Sequence, residues 1–356
     1  MTEVETLWES FIGRLAQTGS ASSPELLSAF RDIPRDVFVP HFYRQTAGRN
    51  GWTILERPDS DWLEGIYTID PLITQLNGDE SLAERARNGE PVTGEPTSSS
   101  SSPSLMALML SALDVQHGES VLEIGTGTGY GTALLCYLVG ADNITSVDID
   151  KGLVNSARDR LAAFGYAPSL HANDGSDGVR QRAPFKRIIA TVGMSRIEKS
   201  LIDQTADGGK ILVPFNRRDR SGLLALLTVH EGKAEGSFLA GYGGFMPLRA
   251  ERQDAAKKTL REVEPEDGEI RTADLPAEIV TGTTGSPFEF FAALTVPGGG
   301  WDYLGFTPSG SEHTETWLAQ ENGSWACHTT DNGKHSVRQG GPSLLWDNIE
   351  SAYAEW

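Results

Sequence analysis

Apolar positions change their period along this chain, and each change predicts a different kind of element. Leu7, Phe11, Ile12 and Leu15 recur at spacings of three and four, which predicts a helical segment over residues 1 to about 48. Pro34 and Pro40 then frame a short non-helical connector. From 50 to 103 the pattern weakens. Tyr67-Thr68-Ile69 reads as a strand, Ser81 to Asn88 as a short polar helix, and Gly89 to Pro96 as a breaker-rich linker. Five serines, Ser98 to Ser102, stop at Pro103, where an apolar helix to Leu113 begins. That places the serines at a helix entrance, although a bare serine run is also the usual composition of a flexible spacer.

From Glu119 to about Leu248 short apolar runs alternate with helical stretches. The predicted strands are Val121–Ile124, Ile144–Val147, Ile188–Ala190, Ile211–Val213 and Leu223–Val229. Helices are expected over Gly131–Leu138, Leu153–Phe164 and Arg196–Thr205. Such alternation predicts a doubly wound α/β sheet. Past Arg252 the composition turns charged, then rich in Gly, Thr and Trp. Phe288–Val296 reads as a strand, Asn322-Gly323 and Asn332-Gly333 as turns, and Leu344–Trp356 as a closing helix. The expected organisation is 1–103 helical and acceptor-loop region, 104–250 α/β core, 251–269 linker and 270–356 a small β-rich accessory domain.

Charge narrows the partners. The 30 Lys and Arg stand against 49 Asp and Glu, a formal net charge of -19. That field repels phosphate backbones, so nucleic acid is not an expected substrate, whereas a neutral or basic peptide meets no barrier. No apolar run reaches the roughly 20 residues of a membrane span. Residues 1–10 carry Glu3, Glu5 and Glu9 where a signal peptide is basic, and the two cysteines lie far apart. A cytoplasmic protein without a disulfide framework is expected. His313, Cys327, His328 and His335 gather near the C-terminus but lack the tight repeated spacing of a metal site, and no metal is expected. The aromatics there (Phe288, Phe290, Phe291, Trp301, Tyr303, Trp317, Trp325 and Trp346) suit either a core or a peptide groove.

The sharpest local signal is Glu123-Ile124-Gly125-Thr126-Gly127-Thr128-Gly129-Tyr130, a strand running through glycines into a helix. A dinucleotide fingerprint needs glycines at relative positions one, three and six, and the sixth position is Tyr130 or Thr132 here. No phosphate-binding Lys-Ser/Thr follows. The acidic-x-Gly-x-Gly-x-Gly that remains is similar to the first motif of class I methyltransferases. Asp148 ends the next predicted strand, where a carboxylate can accept two ribose hydroxyls. Asp174, before Gly175, ends the one after and is placed to meet an adenine amino group.

Several segments, in order over about residues 28 to 250, resemble protein-L-isoaspartate O-methyltransferases. They are Ile33-Pro34-Arg35-Asp36-Val37-Phe38-Val39-Pro40, Glu123 to Tyr130, Ala183 to Thr191, Gly208 to Pro214, and Phe245-Met246-Pro247-Leu248. The resemblance implies a class I, Rossmann-like fold using S-adenosylmethionine and releasing S-adenosylhomocysteine. It implies cofactor contacts at Ser99, Glu123, Gly125, Thr126, Gly127, Gly129, Tyr130, Asp148, Ile149, Asp174, Gly175 and Thr191. The acceptor side departs from the family. Its substrate-side serine falls on Ser101, but with serines on both sides and Ser104, not an aromatic residue, after Pro103. Ser100-Ser101-Ser102-Pro103-Ser104 is partly similar to the serine-rich loop of homologues found beside lanthipeptide and related peptide gene clusters. That likeness implies methylation of an ordinary aspartate in a cyclised precursor peptide, followed by aspartimide formation.

An aspartyl carboxylate, with a pKa of roughly 4, is already the nucleophile at neutral pH, so no general base is required. Hydroxyls that orient one carboxylate oxygen are the expected catalytic groups: Ser101 first, then Ser100 and Ser102. Two rival readings stay open. Repair of isoaspartyl residues explains the cofactor motifs equally well, and a catalytically dead peptide-binding escort would have no need of them.

Overall fold

The structure, a computed structural model, describes residues 3–46, 51–215, 222–242, 244–249, 268–281, 287–306 and 313–356. The chain forms two compact units, one of Met1–Pro214 with Leu224–Gly241, the other of Phe215–Leu223 with Tyr242–Trp356. Most of the expected linker, residues 250–267, lies outside the described residues.

The first unit begins with helices α1 (Glu3–Gln17), α2 (Pro24–Asp32) and α3 (Arg35–Phe38). Phe11, Ile12 and Leu15 are buried, as their spacing requires. The segment between Pro34 and Pro40 is a single helical turn rather than a non-helical connector, since proline is compatible with a helix start. Strand β1 (His41–Gln45) follows, then β2 (Trp52–Glu56), α4 (Ser60–Ile66), β3 (Leu72–Leu76), α5 (Ser81–Arg87) and β4 (Pro96–Ser100). These strands make a four-stranded sheet in the order β2-β1-β3-β4, which the sequence pattern does not predict. Tyr67 caps α4 instead of starting a strand. Ser98, Ser99 and Ser100 lie within β4, paired antiparallel with β3, so the serine run is part of a sheet and not only a helix entrance. Only Ser102 has the capping position, at the head of α6 (Pro103–Leu113).

The α/β core has the predicted strands and adds a final one, Lys233–Tyr242, that the sequence pattern does not predict. Strands β5 (Val121–Ile124), β6 (Ile144–Asp148), β7 (Ser169–Ala172), β8 (Phe185–Ala190), β9 (Thr205–Phe215), β10 (Leu223–His230) and β11 (Lys233–Tyr242) form one sheet ordered β11-β10-β9-β8-β5-β6-β7. β5 pairs in parallel with β6 on one side and β8 on the other. All four β5 residues are buried, the mark of a strand covered on both faces. Helices α7 (Tyr130–Val139), α8 (Lys151–Ala163) and α9 (Lys199–Asp203) complete the alternation. The strand order reverses at β5, so the crevice beyond the C-terminal ends of β5, β6 and β8 is the position where such sheets bind ligands. That is the doubly wound arrangement the alternation predicts.

The second unit is β-rich. β12 (Arg271–Thr272), β13 (Asp302–Phe306), β14 (Thr314–Ala319), β15 (Trp325–Asp331) and β16 (Lys334–Gly340) form a sheet ordered β12-β16-β15-β14-β13. Asn322-Gly323 and Asn332-Gly333 make its turns, Asn332 and Gly333 both at positive φ. The predicted strand at 288–296 is instead the helix Pro287–Thr295, whose buried Phe288, Glu289, Ala292 and Ala293 share one face. With the closing helix Leu345–Glu355 it covers a core containing Phe288, Trp301, Leu318, Trp346 and Ile349. Trp317 stacks on Trp325 in a separate cluster with Cys327. The aromatics therefore divide: Phe288, Trp301 and Trp346 lie in the core with Phe291 against it, this pair is apart from it, and Tyr303 is exposed. His328 contacts Trp346. Neighbouring strand residues point to opposite faces, so Cys327 and His328 are not arranged to hold one ion.

Candidate active site

The glycine loop leaves β5 through backbone that only glycine adopts without strain. Gly125 has φ +102, and a Cβ there would meet the Thr191 hydroxyl at 2.6 Å. That hydroxyl donates to the carbonyls of Ile124 and Gly125 (3.2 and 2.8 Å), latching the loop to the end of β8. Gly127 has φ +52, and its absent side chain leaves open the space toward the Ser98 hydroxyl and the Ser99 carbonyl, each 3.7 Å from an ideal Cβ. The serine strand thus passes beside the loop at the point where backbone can approach a ligand.

Asp148 closes the cradle at the tip of β6. One carboxylate oxygen accepts from the Gly127 N–H (2.9 Å) and the other from the Asp150 N–H (3.0 Å). A carboxylate oxygen can accept more than one hydrogen bond, so this acceptor pair suits a ligand with two adjacent hydroxyls. Ile149 beside it is 46% exposed, an apolar face of the kind a planar base packs against. Asp174 accepts from the Ser176 N–H and hydroxyl through one oxygen, forming a turn with Gly175 after β7. Gly125, Gly127, Asp148, Ile149, Asp174, Gly175 and Thr191 are therefore brought to one edge of the sheet. Carboxylate acceptors, an exposed apolar side chain and glycines that let backbone come close are the chemistry that the adenosine part of S-adenosylmethionine calls for.

Other expected cofactor residues act from beneath. Glu123 is buried, and one of its oxygens accepts from Thr132 (2.5 Å) and Ser146 (2.6 Å), while Ser146 also bonds Thr126 (2.7 Å). Its other oxygen lies 2.7 Å from an ideal Gly131 Cβ. Glu123 and Thr126 thus brace the loop rather than line the cradle. Gly129 packs on Ala157. The Tyr130 ring is buried against Phe30 and Phe38, so its side chain packs in the core beneath the loop.

Burial pushes the Glu123 carboxyl up to about 7, against the lowering effect of its Ser146 and Thr132 hydrogen bonds. An acid raised in the folded state keeps a proton that the unfolded chain has lost, so its linkage makes stability fall as pH rises from about 4.5 to about 7. Glu123→Gln keeps the shape and does not titrate. Between pH 4.5 and 7.5 the wild type should lose up to about 3 kcal/mol relative to this variant in urea unfolding. A gap that does not change with pH would show that burial does not raise the Glu123 pKa.

The five serines are not equivalent. Ser98 and Ser100 are buried, Ser98 accepting from the Thr74 hydroxyl and Ser100 from Arg35 Nε (3.1 Å). Ser102 donates to the Ile69 carbonyl (2.8 Å), bonds Ser104 and caps α6. Ser99 and Ser101 are half-buried, and their hydroxyls have no hydrogen-bond partner among the described residues. Among the three expected catalytic serines, the Ser100 and Ser102 hydroxyls are bonded to the strand and helix framework, whereas that of Ser101 has no partner among the described residues.

Two residues without an expected role join this framework. Gln75, at a register shift in β3, donates to Asp150 (3.0 Å) and accepts from Thr97 (2.9 Å), tying the serine strand to the tip of β6. Arg35 reaches the other end of β4. Asp36 resembles its natural ion partner in sequence but bonds Tyr67 and Arg57 instead.

Residues 80–247 match the family described as Protein-L-isoaspartate(D-aspartate) O-methyltransferase (PCMT). The protein-L-isoaspartate O-methyltransferase of Syntrophus aciditrophicus (strain SB) is 37% identical over 154 residues, covering 43% of this chain and 70% of that protein. That of Thermococcus sibiricus (strain DSM 12597 / MM 739) is 35% identical over 209 residues, 58% and 76% of the two chains. A solved protein-L-isoaspartate O-methyltransferase aligns over 98% of this chain and 93% of its own, with a TM-score of 0.56 and 20% identity. This likeness is one of fold, and it extends into the C-terminal unit, which is therefore not peculiar to this chain.

Proposed function

Because the chain belongs to the protein-L-isoaspartate O-methyltransferase family, we propose that it is an S-adenosylmethionine-dependent O-methyltransferase acting on the side-chain carboxylate of an aspartate-derived residue in a peptide or protein. The cofactor supplies an electrophilic methyl group. Asp148 holds the ribose end, with the Gly125–Gly129 loop close against it and Ile149 beside the base. Ser101 donates its free hydroxyl to one carboxylate oxygen, leaving the other to attack. The carboxylate is ionised at neutral pH, so the residues need only orient it and keep water out.

For the acceptor, we take the finer reading to be an ordinary aspartate in a cyclised peptide, with the methyl ester leading to aspartimide. The observation supporting it is β4, where serine replaces the family's acceptor segment and hydroxyls at Ser99 and Ser101 are left unbonded. The second reading, repair of isoaspartyl residues, is favoured by the names of the matched relatives. It is favoured too by the counterpart to the C-terminal unit, which removes that unit as an argument for a specialised peptide. Under either reading the accessory unit is a candidate for peptide recognition. A cytoplasmic location suits both, and no helix among the described residues is long and apolar enough to cross a membrane.

Ser101→Ala tests the acceptor assignment. S-adenosylhomocysteine affinity should be unchanged while methyl transfer falls about tenfold, the effect of losing one hydrogen bond to a charged group. Transfer at the wild-type rate would remove Ser101 from the reaction.

A further inference from the structure

We propose that Arg35 is a positioning residue for methyl transfer, clamping the Ser100–Ser101 backbone so that the Ser101 hydroxyl is held toward the acceptor. This rests on the role given to Ser101 above. Arg35 is 1% exposed, so its guanidinium is a buried cation. It makes six hydrogen bonds, and none goes to a carboxylate. Nε donates to the Ser100 hydroxyl (3.1 Å) and Nη1 to the carbonyls of Ile66 and Thr68 (3.1 and 3.0 Å). Nη2 donates to the carbonyls of Asp70, Ser100 and Ser101 (3.0, 3.1 and 3.3 Å).

Two physical points separate this from ordinary scaffolding. Burying a cation costs several kcal/mol, and apolar packing of the same volume generally serves stability as well or better. The second point is where the bonds go. β4 is an edge strand of its sheet, and at its end the guanidinium bonds the Ser100 and Ser101 carbonyls in place of a neighbouring strand. The same planar fork fixes the turn from Ile66 to Asp70, whose Ile69 carbonyl accepts from Ser102. Arg35 therefore sets the residue before Ser101, Ser101 itself and the turn that Ser102 rests on. Burial pulls its pKa down to about 10, which leaves it charged at neutral pH.

Lysine keeps the charge but has three N–H donors at one point, so it cannot meet six acceptors spread around a planar fork. In Arg35→Lys, amide exchange over 66–70 and 98–102 should quicken at least tenfold. Exchange over the glycine loop 125–131 and S-adenosylhomocysteine affinity should stay within about twofold of the wild type. Ser100→Ala, which removes one acceptor without disturbing the cation, should move the same amides in the same direction by less. Exchange that is unchanged, or that quickens evenly along the chain, would overturn the proposal. Methyl transfer gives a second reading through a double-mutant cycle. If Arg35 acts through Ser101, kcat should fall about tenfold in Arg35→Lys, and adding Ser101→Ala should cost little more. Losses that multiply would mean Arg35 acts on stability alone. A wild-type enzyme that methylates neither isoaspartyl nor aspartyl peptides would sink the functional reading, while the exchange data would still judge Arg35.

Discussion

Asp148→Ala is expected to weaken S-adenosylhomocysteine binding at least tenfold, with the fold retained. The two carboxylate oxygens accept from the Gly127 and Asp150 N–H groups, which hold the carboxylate at the tip of β6 beside the glycine loop. Two ribose hydroxyls donating there would each contribute about 1.5–3 kcal/mol, as hydrogen bonds to a charged group do. The substitution also frees the Gly127 N–H, so the loop loses an anchor where it must lie closest to the ligand. Asp148→Asn separates the two effects. It keeps one acceptor oxygen, but its amide NH2 would face an N–H donor, so an intermediate loss is expected. Calorimetric titration of both variants, alongside their thermal unfolding, gives the answer. Unchanged affinity in a folded Asp148→Ala would take Asp148 out of the cofactor site.

The cofactor half of this site is legible in the sequence because its signals are local. Buried parallel strands read as short apolar runs, and positive-φ positions select glycine, so Val121 to Gly129 announces both the strand and the turn. Asp148 follows from strand length alone. The acceptor half is not local. β4 is Pro-Thr-Ser-Ser-Ser, poor in strand formers, and it is a strand because β3 pairs with it and Arg35 holds its end. Its alternation, with Ser98 and Ser100 buried and Ser99 and Ser101 not, cannot be read from five identical residues. The sequence ranks Ser101 before Ser100 and Ser102 by alignment alone, and the hydrogen-bond partners that set the three apart are non-local. Arg35 was hidden for a related reason: beside Asp36 it looks like half of a surface pair. An apolar run as short as Phe288–Val296 fits both periods, and the packing of Phe288 and Ala292 decides for the helix Pro287–Thr295 over the expected strand.

The acceptor itself is the largest effect expected, because the two readings predict opposite substrates. Once esterified, an aspartyl carbonyl stands one bond rotation from the next backbone nitrogen, and ring closure is effectively unimolecular. A glycine after the aspartate, with no side chain crowding that nitrogen, should close fastest. Repair enzymes by contrast must leave normal aspartate alone, since it is the residue they restore. The most direct measurement offers the enzyme, with S-adenosylmethionine, a cyclised peptide holding an Asp-Gly pair and its isoaspartyl counterpart, each followed by mass spectrometry. The account predicts that the aspartyl peptide first gains about 14 Da and then, as methanol leaves, settles about 18 Da below its starting mass. Methylation of the isoaspartyl peptide, with no change in the aspartyl one, would contradict it.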